Sequence, residues 1–518
     1  MTRHWGWAAA AGVLAAAVAA ALMPRALVGV FYDDGIYTAL ARSLVEGHGY
    51  RLLYLPGAPA AVHYPPLYPA FLALLWRAWP AFPENVILFR AANALLLGLF
   101  AGGLAGYLAR RRALPAAAAA LVVAIGCTAV PLLSVVTVLF AEPLFLVLAL
   151  AAWWLADAGG AARGRSALAL SAGAGVLAGL AALTRSIGVA VAAGSVVALL
   201  LARRRREALA AAMGAALLLV PWTLWSTAHR AGVESVLAAG YGTYGDLIRQ
   251  AGWRWLSPDA LWDVLRPLGY VAFATVRPAW HPLLGVPALA VLGTGGVILA
   301  RRAPALGWSL ACYVAVVLLW PYAPDRFLWA VLPLFLVALA VGAAALWRAA
   351  GGWEDWRRWA LRGLALAGTL PALVGFGEYQ YRGFARRWPT ATQRGISESF
   401  ERILPWVRSA TPVSAVLAGE DEALLWLYTG RRAVPSYLWH LQGRRDVSYG
   451  PDSLRAFFDR SGVSHVLLTG PRSDAASTLD ELHGLFPGYL HSVMSWRGPM
   501  IAYAVDRTPP PAAPAPSR

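Results

Sequence analysis

Long apolar stretches separated by short arginine-bearing breaks run from Trp5 to Gly377, and after about Tyr379 the chain turns to polar residues and short alternating runs. Each apolar stretch is close to the ~20 residues that a helix needs to cross a hydrocarbon core of ~30 Å. The pattern predicts spanning helices near 7–30, 86–109, 113–131, 141–157, 167–184, 187–202, 208–228, 283–300, 304–321, 327–347 and 359–378, about eleven in all. The expected fold class is therefore a polytopic α-helical membrane protein, with a transmembrane domain over 1–378.

The first segment, "WAAAAGVLAAAVAAALM", also has the basic start and Ala-x-Ala sites of a secretory signal. Its apolar run exceeds the roughly 7–15 residues of a signal core, which favours a retained helix. The loop that follows, 31–85, contains two helical patterns. "DDGIYTALARSLVEG" places Ile36, Leu40, Leu44 and Val45 on one face. "PPLYPAFLALLWRAWP" opens with prolines suited to a helix start and is too short to span, so both are expected to lie in the membrane interface.

Beyond 378 the pattern is that of a small α/β domain over 379–507. "VSAVLAG" and "VSHVLLTG" predict buried strands, "EDEALLWLYTG" and "PDSLRAFFDRSG" predict helices, and "LHSVMSW" with "MIAYAVD" predicts a closing strand pair. The tail 508–518, "TPPPAAPAPSR", is proline-rich and expected to be disordered. No internal repeat is visible.

Charge adds the orientation. The chain is 59% hydrophobic and 14% charged, with a formal net charge of +17. Its 44 basic residues are all arginine. They cluster between the apolar runs at Arg110 to Arg112, Arg163 and Arg165, Arg203 to Arg206, Arg301 and Arg302, and Arg348, Arg357 and Arg358. With a cytoplasmic N-terminus every cluster falls on the cytoplasmic side, as the positive-inside rule requires. The clusters lack aromatic stacking platforms, so no nucleic acid partner is expected. The two cysteines, Cys127 and Cys312, sit inside apolar runs and offer neither a disulfide framework nor a metal site.

Acids are scarce enough that those at the outer boundary need a reason. Asp33 and Asp34 directly follow the first apolar segment. One aspartate there would cap a helix start, where free N–H groups and the helix dipole favour negative charge; a second adjacent one repels the first, which points to chemistry. Glu142 begins a helix with Pro143 and reads equally well as a cap or as a functional acid. Arg185 and Arg326 break the charge rule by lying at outer helix ends. Each can snorkel to headgroups or clamp a phosphate with its planar fork, and Asp325 is a ready partner for Arg326. Arg277 is a weaker candidate of the same kind. His63 lies in the same loop as the aspartates, but no His-x-x-x-His or Glu-x-x-His spacing accompanies it, so no cofactor is expected, a divalent metal being the alternative left open. No phosphate-binding glycine loop follows a strand. Tyr37 and Tyr68 are candidate substrate-pocket residues, as are Trp280, Tyr241 and Tyr244.

"FYDDGIYTALARSLVEGHGYR" followed by "PGAPAAVHYPPLYPAFLALL" resembles the first outer loop of the GT-C glycosyltransferases. It is most similar to the bacterial phospholipid-carrier-dependent branch related to protein O-mannosyltransferases and the lipid A aminoarabinose transferase. "AEPLFLVLALAAWWL", "GLAALTRSIGVAVAA" and "DRFLWAVLPLFLVAL" resemble later segments of that family in the same order. The resemblance implies an enzyme of the bacterial inner membrane that moves a sugar, with inversion, from a polyprenyl-phosphate donor to a lipid, glycan or protein acceptor on the extracytoplasmic face. It assigns the base to Asp33, with Asp34 as its companion. Cationic stabilisation of the phosphate leaving group would fall to Arg185 and Arg326. Several relatives have basic residues where this chain has Ile36 and Tyr64, which moves phosphate binding toward the later arginines, with His63 and Tyr64 assisting. The rival readings are a transporter or flippase of lipid-linked sugars and a noncatalytic glycan-binding membrane protein. A transporter would place its ionisable groups near the midplane on repeated or broken helices.

Overall fold

The computed structural model describes residues 2–251, 259–352, 354–443, 445–469, 474–497 and 500–507. The expected tail at 508–518 lies outside the described residues. Among the described residues seven helices are long and apolar enough to cross a membrane: Val86–Arg110, Glu142–Ala161, Gly164–Thr184, Arg205–Gly232, Pro278–Arg302, Leu332–Ala350 and the run Trp356–Ala410. The other expected spans are also helical but shorter or interrupted. Trp5–Ala21, Ser186–Leu201 and Pro304–Leu319 each fall short of full length, and Ala116–Cys127 with Val130–Val136 bends by 62°. Pro131, with no amide hydrogen, sits in the first turn after that bend. The span expected over 327–347 is likewise divided at Val331, where Asp325–Ala330 ends and Leu332–Ala350 begins with Pro333 in its first turn.

The chain forms two compact units. One comprises Met1–Pro24, Tyr64–Trp225 and Trp253–Thr392; the other comprises Arg25–His63, Ser226–Gly252 and Gln393–Arg518. This division differs from a boundary at 378, which falls inside the helix Trp356–Ala385. It also divides the first outer loop between His63 and Tyr64.

In the first unit the helices pack through small side chains, as membrane helices do when no hydrophobic effect drives them together. Ala8, Ala11, Ala15 and Ala19 are buried at helical spacing. Along the facing helix, a Cβ added to Gly98 would meet Ala16 Cβ at 2.7 Å, and one added to Gly12 would meet the Gly98 carbonyl at 2.8 Å. Gly295 and Gly342 do the same for a second pair of helices: a Cβ on either would collide with the backbone of Ala338 or Val291.

The second unit is built on a five-stranded sheet in the order β2-β1-β5-β7-β6. Here β1 is Val416–Gly419, β2 Arg432–Pro435, β5 Val463–Leu468, β6 Leu490–Ser495 and β7 Ile501–Val505. Strand β1 runs parallel to β2 and β5, whereas β7 is antiparallel to β5 and β6. Strands β3 (Trp439–Gln442) and β4 (Arg445–Ser448) form a separate antiparallel hairpin. The helices Glu422–Thr429 and Pro451–Ser461 each stop at a glycine of positive φ, Gly430 at 74° and Gly462 at 70°. The expected strands, helices and closing pair are all present. Strand β2, the hairpin and the helices Trp388–Ala410 and Asp474–Leu485 are additions to them.

The core of this unit explains why the first loop joins it. Val30 is buried in one cluster with Phe400, Ile403, Leu417, Leu424 and Leu467. Burying one such side chain is worth about 1.5–3 kcal/mol. The Val28 amide donates to Tyr428 Oη at 3.0 Å and the Leu27 amide to Ser397 Oγ at 2.9 Å, so the strand of chain leading to Asp33 is tied down on both counts.

Candidate active site

Gly29, with φ of 99°, passes so close to Leu424 that an added Cβ would lie 2.7 Å from its Cβ. Two residues later the Asp33 amide donates to the Phe31 carbonyl at 2.6 Å across Tyr32, whose φ and ψ are 61° and −72°. This is a γ-turn of the uncommon positive-φ kind, and a tyrosine held there stores on the order of 1–3 kcal/mol of strain. The helix Asp33–Val45 starts immediately after it.

The two aspartates leave this turn with different tasks. Asp34 is 2% exposed, and its two oxygens accept the Gly29 amide at 2.7 Å and the Phe31 amide at 2.9 Å. Its carboxylate is the clip that holds the strained turn. Asp33 is half-buried beside Tyr32, Tyr54 and His63, whose titrations its charge perturbs. Burial, followed by the charge of Glu422 nearby, holds the hydroxyls of Tyr32 and Tyr54 protonated well above the usual range. Burial also lowers the pKa of His63 against the opposing pull of the Gly242 carbonyl and Asp33. The ring is therefore neutral near pH 7. Its Nδ1 lies 2.7 Å from the Gly242 oxygen, the arrangement of an Nδ1–H donor, and its plane meets Tyr244 with centroids 4.8 Å apart.

A group that the sequence reading left out stands in the same unit. Tyr241 donates its hydroxyl hydrogen to Glu422, which is 1% exposed at the start of the helix Glu422–Thr429. The Tyr241 ring centroid lies 6.0 Å from that of Tyr32 and 6.3 Å from that of Tyr54. Burial pushes the Glu422 carboxyl up to about 7, with the Tyr241 hydrogen bond opposing it. Burial and the charges of Glu422, Asp34 and Glu420 raise Asp421 as well. Three consecutive acids after an apolar strand, Glu420 to Glu422, were the available signal. Tyr37 is buried on the first-loop helix, 4% exposed.

The remaining candidates belong to the membrane unit. Glu142 is fully buried, and Arg326 grips it with two prongs, Nε to Oε1 at 2.6 Å and Nη2 to Oε2 at 3.3 Å. Arg185 pairs with the same carboxylate. The acid that meets Arg326 is thus Glu142, where the sequence had suggested Asp325. Two of the three members sit at helix ends of suitable polarity: Glu142 opens Glu142–Ala161, and Arg185 caps the carbonyl end of Gly164–Thr184; Arg326, in the first turn of Asp325–Ala330, is held by the carboxylate instead. Two guanidiniums against one carboxylate leave the cluster with one net positive charge. Aromatic rings complete it. The Arg326 guanidinium lies 3.5 Å from the Phe140 ring centroid and that of Arg185 lies 5.1 Å from Phe327. Tyr68, fully buried, donates to Asn93 Oδ1 at 3.1 Å, and Asn93 Nδ2 donates to the Phe140 carbonyl at 3.1 Å, which ties Tyr68 to the residue whose ring lies under Arg326. Arg277 and Trp280 are exposed around the turn Pro278–Trp280 and take no part in the Glu142 cluster. Tyr64 is 6% exposed. Among the described residues no three of His, Cys, Asp and Glu converge as a metal site would require.

No family model and no curated protein matches this sequence. Among solved structures the chain is similar to the archaeal oligosaccharyltransferase AglB from Archaeoglobus fulgidus, solved with an inhibitory peptide and a dolichol-phosphate. The TM-score is 0.52 at 12% identity, over 89% of this chain and 69% of that one. At that identity the likeness is one of fold: a multi-pass helical membrane protein with a C-terminal α/β domain.

Proposed function

We propose that the protein is a membrane glycosyltransferase that moves a sugar from a polyprenyl-phosphate-linked donor to an acceptor hydroxyl on the extracytoplasmic face of a bacterial plasma membrane. The observation that carries the reading is the strained Tyr32 turn, clipped by Asp34, which presents Asp33 at the start of its helix. Strain of this kind persists where the surrounding structure over-determines it, and such sites are commonly functional. The GT-C fold and the first-loop resemblance support the same class of reaction.

In this reaction the acceptor oxygen attacks the anomeric carbon and its proton passes to the Asp33 carboxylate. The bond from that carbon to the phosphate oxygen breaks, and the lipid phosphate leaves with the electron pair, giving inversion. A phosphate needs charge stabilisation more than protonation, and Arg185 and Arg326 supply a net cationic, arginine-based clamp held in shape by Glu142. Glu142 is then a positioning residue, and Asp34 positions Asp33. His63, neutral and fixed by Gly242, borders the acid.

The test is transfer from radiolabelled polyprenyl-phosphate sugars in membranes carrying wild type or Asp33→Asn. Loss of a general base lowers the rate by about 10²–10⁴-fold. Full activity in Asp33→Asn would remove the base assignment. No transfer by wild type from any donor would favour a flippase or a noncatalytic glycan-binding protein.

A further inference from the structure

The second unit contains a cavity of about 460 Å³ that the reaction above does not use. Its size falls within the ~300–1,000 Å³ of ordinary small-molecule sites. Tyr32 and Tyr241 supply one part of its wall, Trp439 another, and Glu420, Glu422 and Asp474 place carboxyl groups on it. Acids gathered on a surface would not by themselves make a site, but two further polar atoms here lack an ordinary partner. Ser436 Oγ, on a residue that is 1% exposed, has no hydrogen-bond partner among the described residues, and Glu422 Oε2 has none of ordinary geometry, Tyr32 being its nearest donor. Leaving such an atom unpaired costs about 1–3 kcal/mol, a cost that a ligand hydroxyl placed against it would remove.

We propose that this cavity binds an uncharged sugar ring and, resting on the transferase reading, that this ring belongs to the acceptor. None of the described lining residues is basic. The carboxyl groups of Glu420, Glu422 and Asp474 oppose a phosphate or a uronic acid there. Aromatic walls offer flat apolar faces to the C–H side of a pyranose, while carboxyl and hydroxyl groups meet its edge. A carboxyl that titrates near 7, as Glu422 does, either accepts from or donates to a hydroxyl at neutral pH. Glu420 is already steadied by the Thr469 hydroxyl at 2.8 Å, so its geometry is set before a ligand arrives. Tyr32 connects the two sites, since it lines the cavity and immediately precedes Asp33.

The experiment uses full-length protein in lipid nanodiscs and saturation-transfer NMR with the methyl pyranosides of glucose, galactose, mannose and N-acetylglucosamine. Glucosamine and inorganic phosphate serve as charged probes. At least one neutral pyranoside should bind, at least fivefold more weakly in Ser436→Ala and in Glu422→Gln, with Asp452→Asn as an unaffected control. A Tyr437→Cys variant, labelled by a methanethiosulfonate reagent and protected by the same sugar, reads the cavity without removing a carboxyl group. Binding by no neutral pyranoside, equal binding in both variants, or preference for glucosamine or phosphate would overturn the proposal. Sugar binding without transfer from any polyprenyl-phosphate donor would overturn the transferase reading and leave the cavity assignment standing. Transfer that persists in variants and wild type that bind no sugar would do the reverse.

Discussion

The carboxylate of Asp34 accepts the amide of Gly29 at 2.7 Å, and so closes the loop that carries the strained turn at Tyr32. Two neighbouring acids of the same charge thereby do different work. Asp34 is consumed by the backbone, whereas Asp33 stands half-buried at the start of the helix.

Asp34→Asn should destabilise the protein, because the new amide group turns a donor toward one of two backbone donors. The expected loss is about 1–3 kcal/mol. Asp33→Asn should leave the thermal midpoint close to wild type while removing transfer. Melting curves in nanodiscs compare the two, and equal shifts would mean that the division of labour is wrong.

Glu142→Gln should leave Arg185 and Arg326 facing each other with no counter-charge. Breaking a buried ion pair in this way costs about 3–5 kcal/mol. Removing Arg185 as well, in Glu142→Gln with Arg185→Gln, should restore part of that loss. A double-mutant cycle on thermal stability measures the coupling, and additive losses would count against a shared carboxylate.

Stability should depend on pH through Glu422. Its pKa is raised on folding from about 4.5 to about 7 by burial, so between those values the folded state holds more protons than the unfolded one. Its contribution is complete below the unfolded value and is lost as pH rises through about 7. The expected decline from pH 5 to pH 8 is on the order of 3 kcal/mol, with Asp421 adding in the same direction. Glu422→Gln should flatten that slope; an unchanged slope would place the titration elsewhere.

Gly98→Val should sharply lower folded yield, since its side chain would be driven into Ala16 and the Gly12 carbonyl. Gly363→Ala makes the contrast: nothing lies within 4 Å of an added Cβ there. That change should hold or raise stability by ~0.5–1 kcal/mol, through helix propensity alone. Fluorescence-detected size-exclusion chromatography after heating reads both.

The spanning helices and the strands β1 and β5 were legible because burial demands long or short apolar runs with no polar interruption. Asp33 and Asp34 stood out for the same reason, as costly charges in an apolar chain. Their different roles were not legible, because they depend on the path of the chain from Gly29 to Tyr32. Arg185 and Arg326 showed as violations of the charge rule. Their meeting at Glu142 is a tertiary contact across 184 positions, for Arg326, that no local pattern encodes. Tyr241 was named as a pocket candidate, but its pairing with Glu422 was missed because the two lie 181 positions apart and only folding joins them. The hairpin β3–β4 and strand β2 were missed because runs of four residues have too little periodicity to register.

If Asp33 is the base, the positive φ of Tyr32 ties the aim of that acid to the packing of one ring. A glycine there would release about 1–3 kcal/mol of turn strain but would also delete an aromatic side chain packed near Tyr241, a loss of about 1.5–3 kcal/mol, so the two effects oppose and no net gain in stability is expected. The same change would loosen the acid beside it. Heat tolerance and turnover would then both be expected to retain the tyrosine, and directed evolution under each pressure in turn would read whether they do.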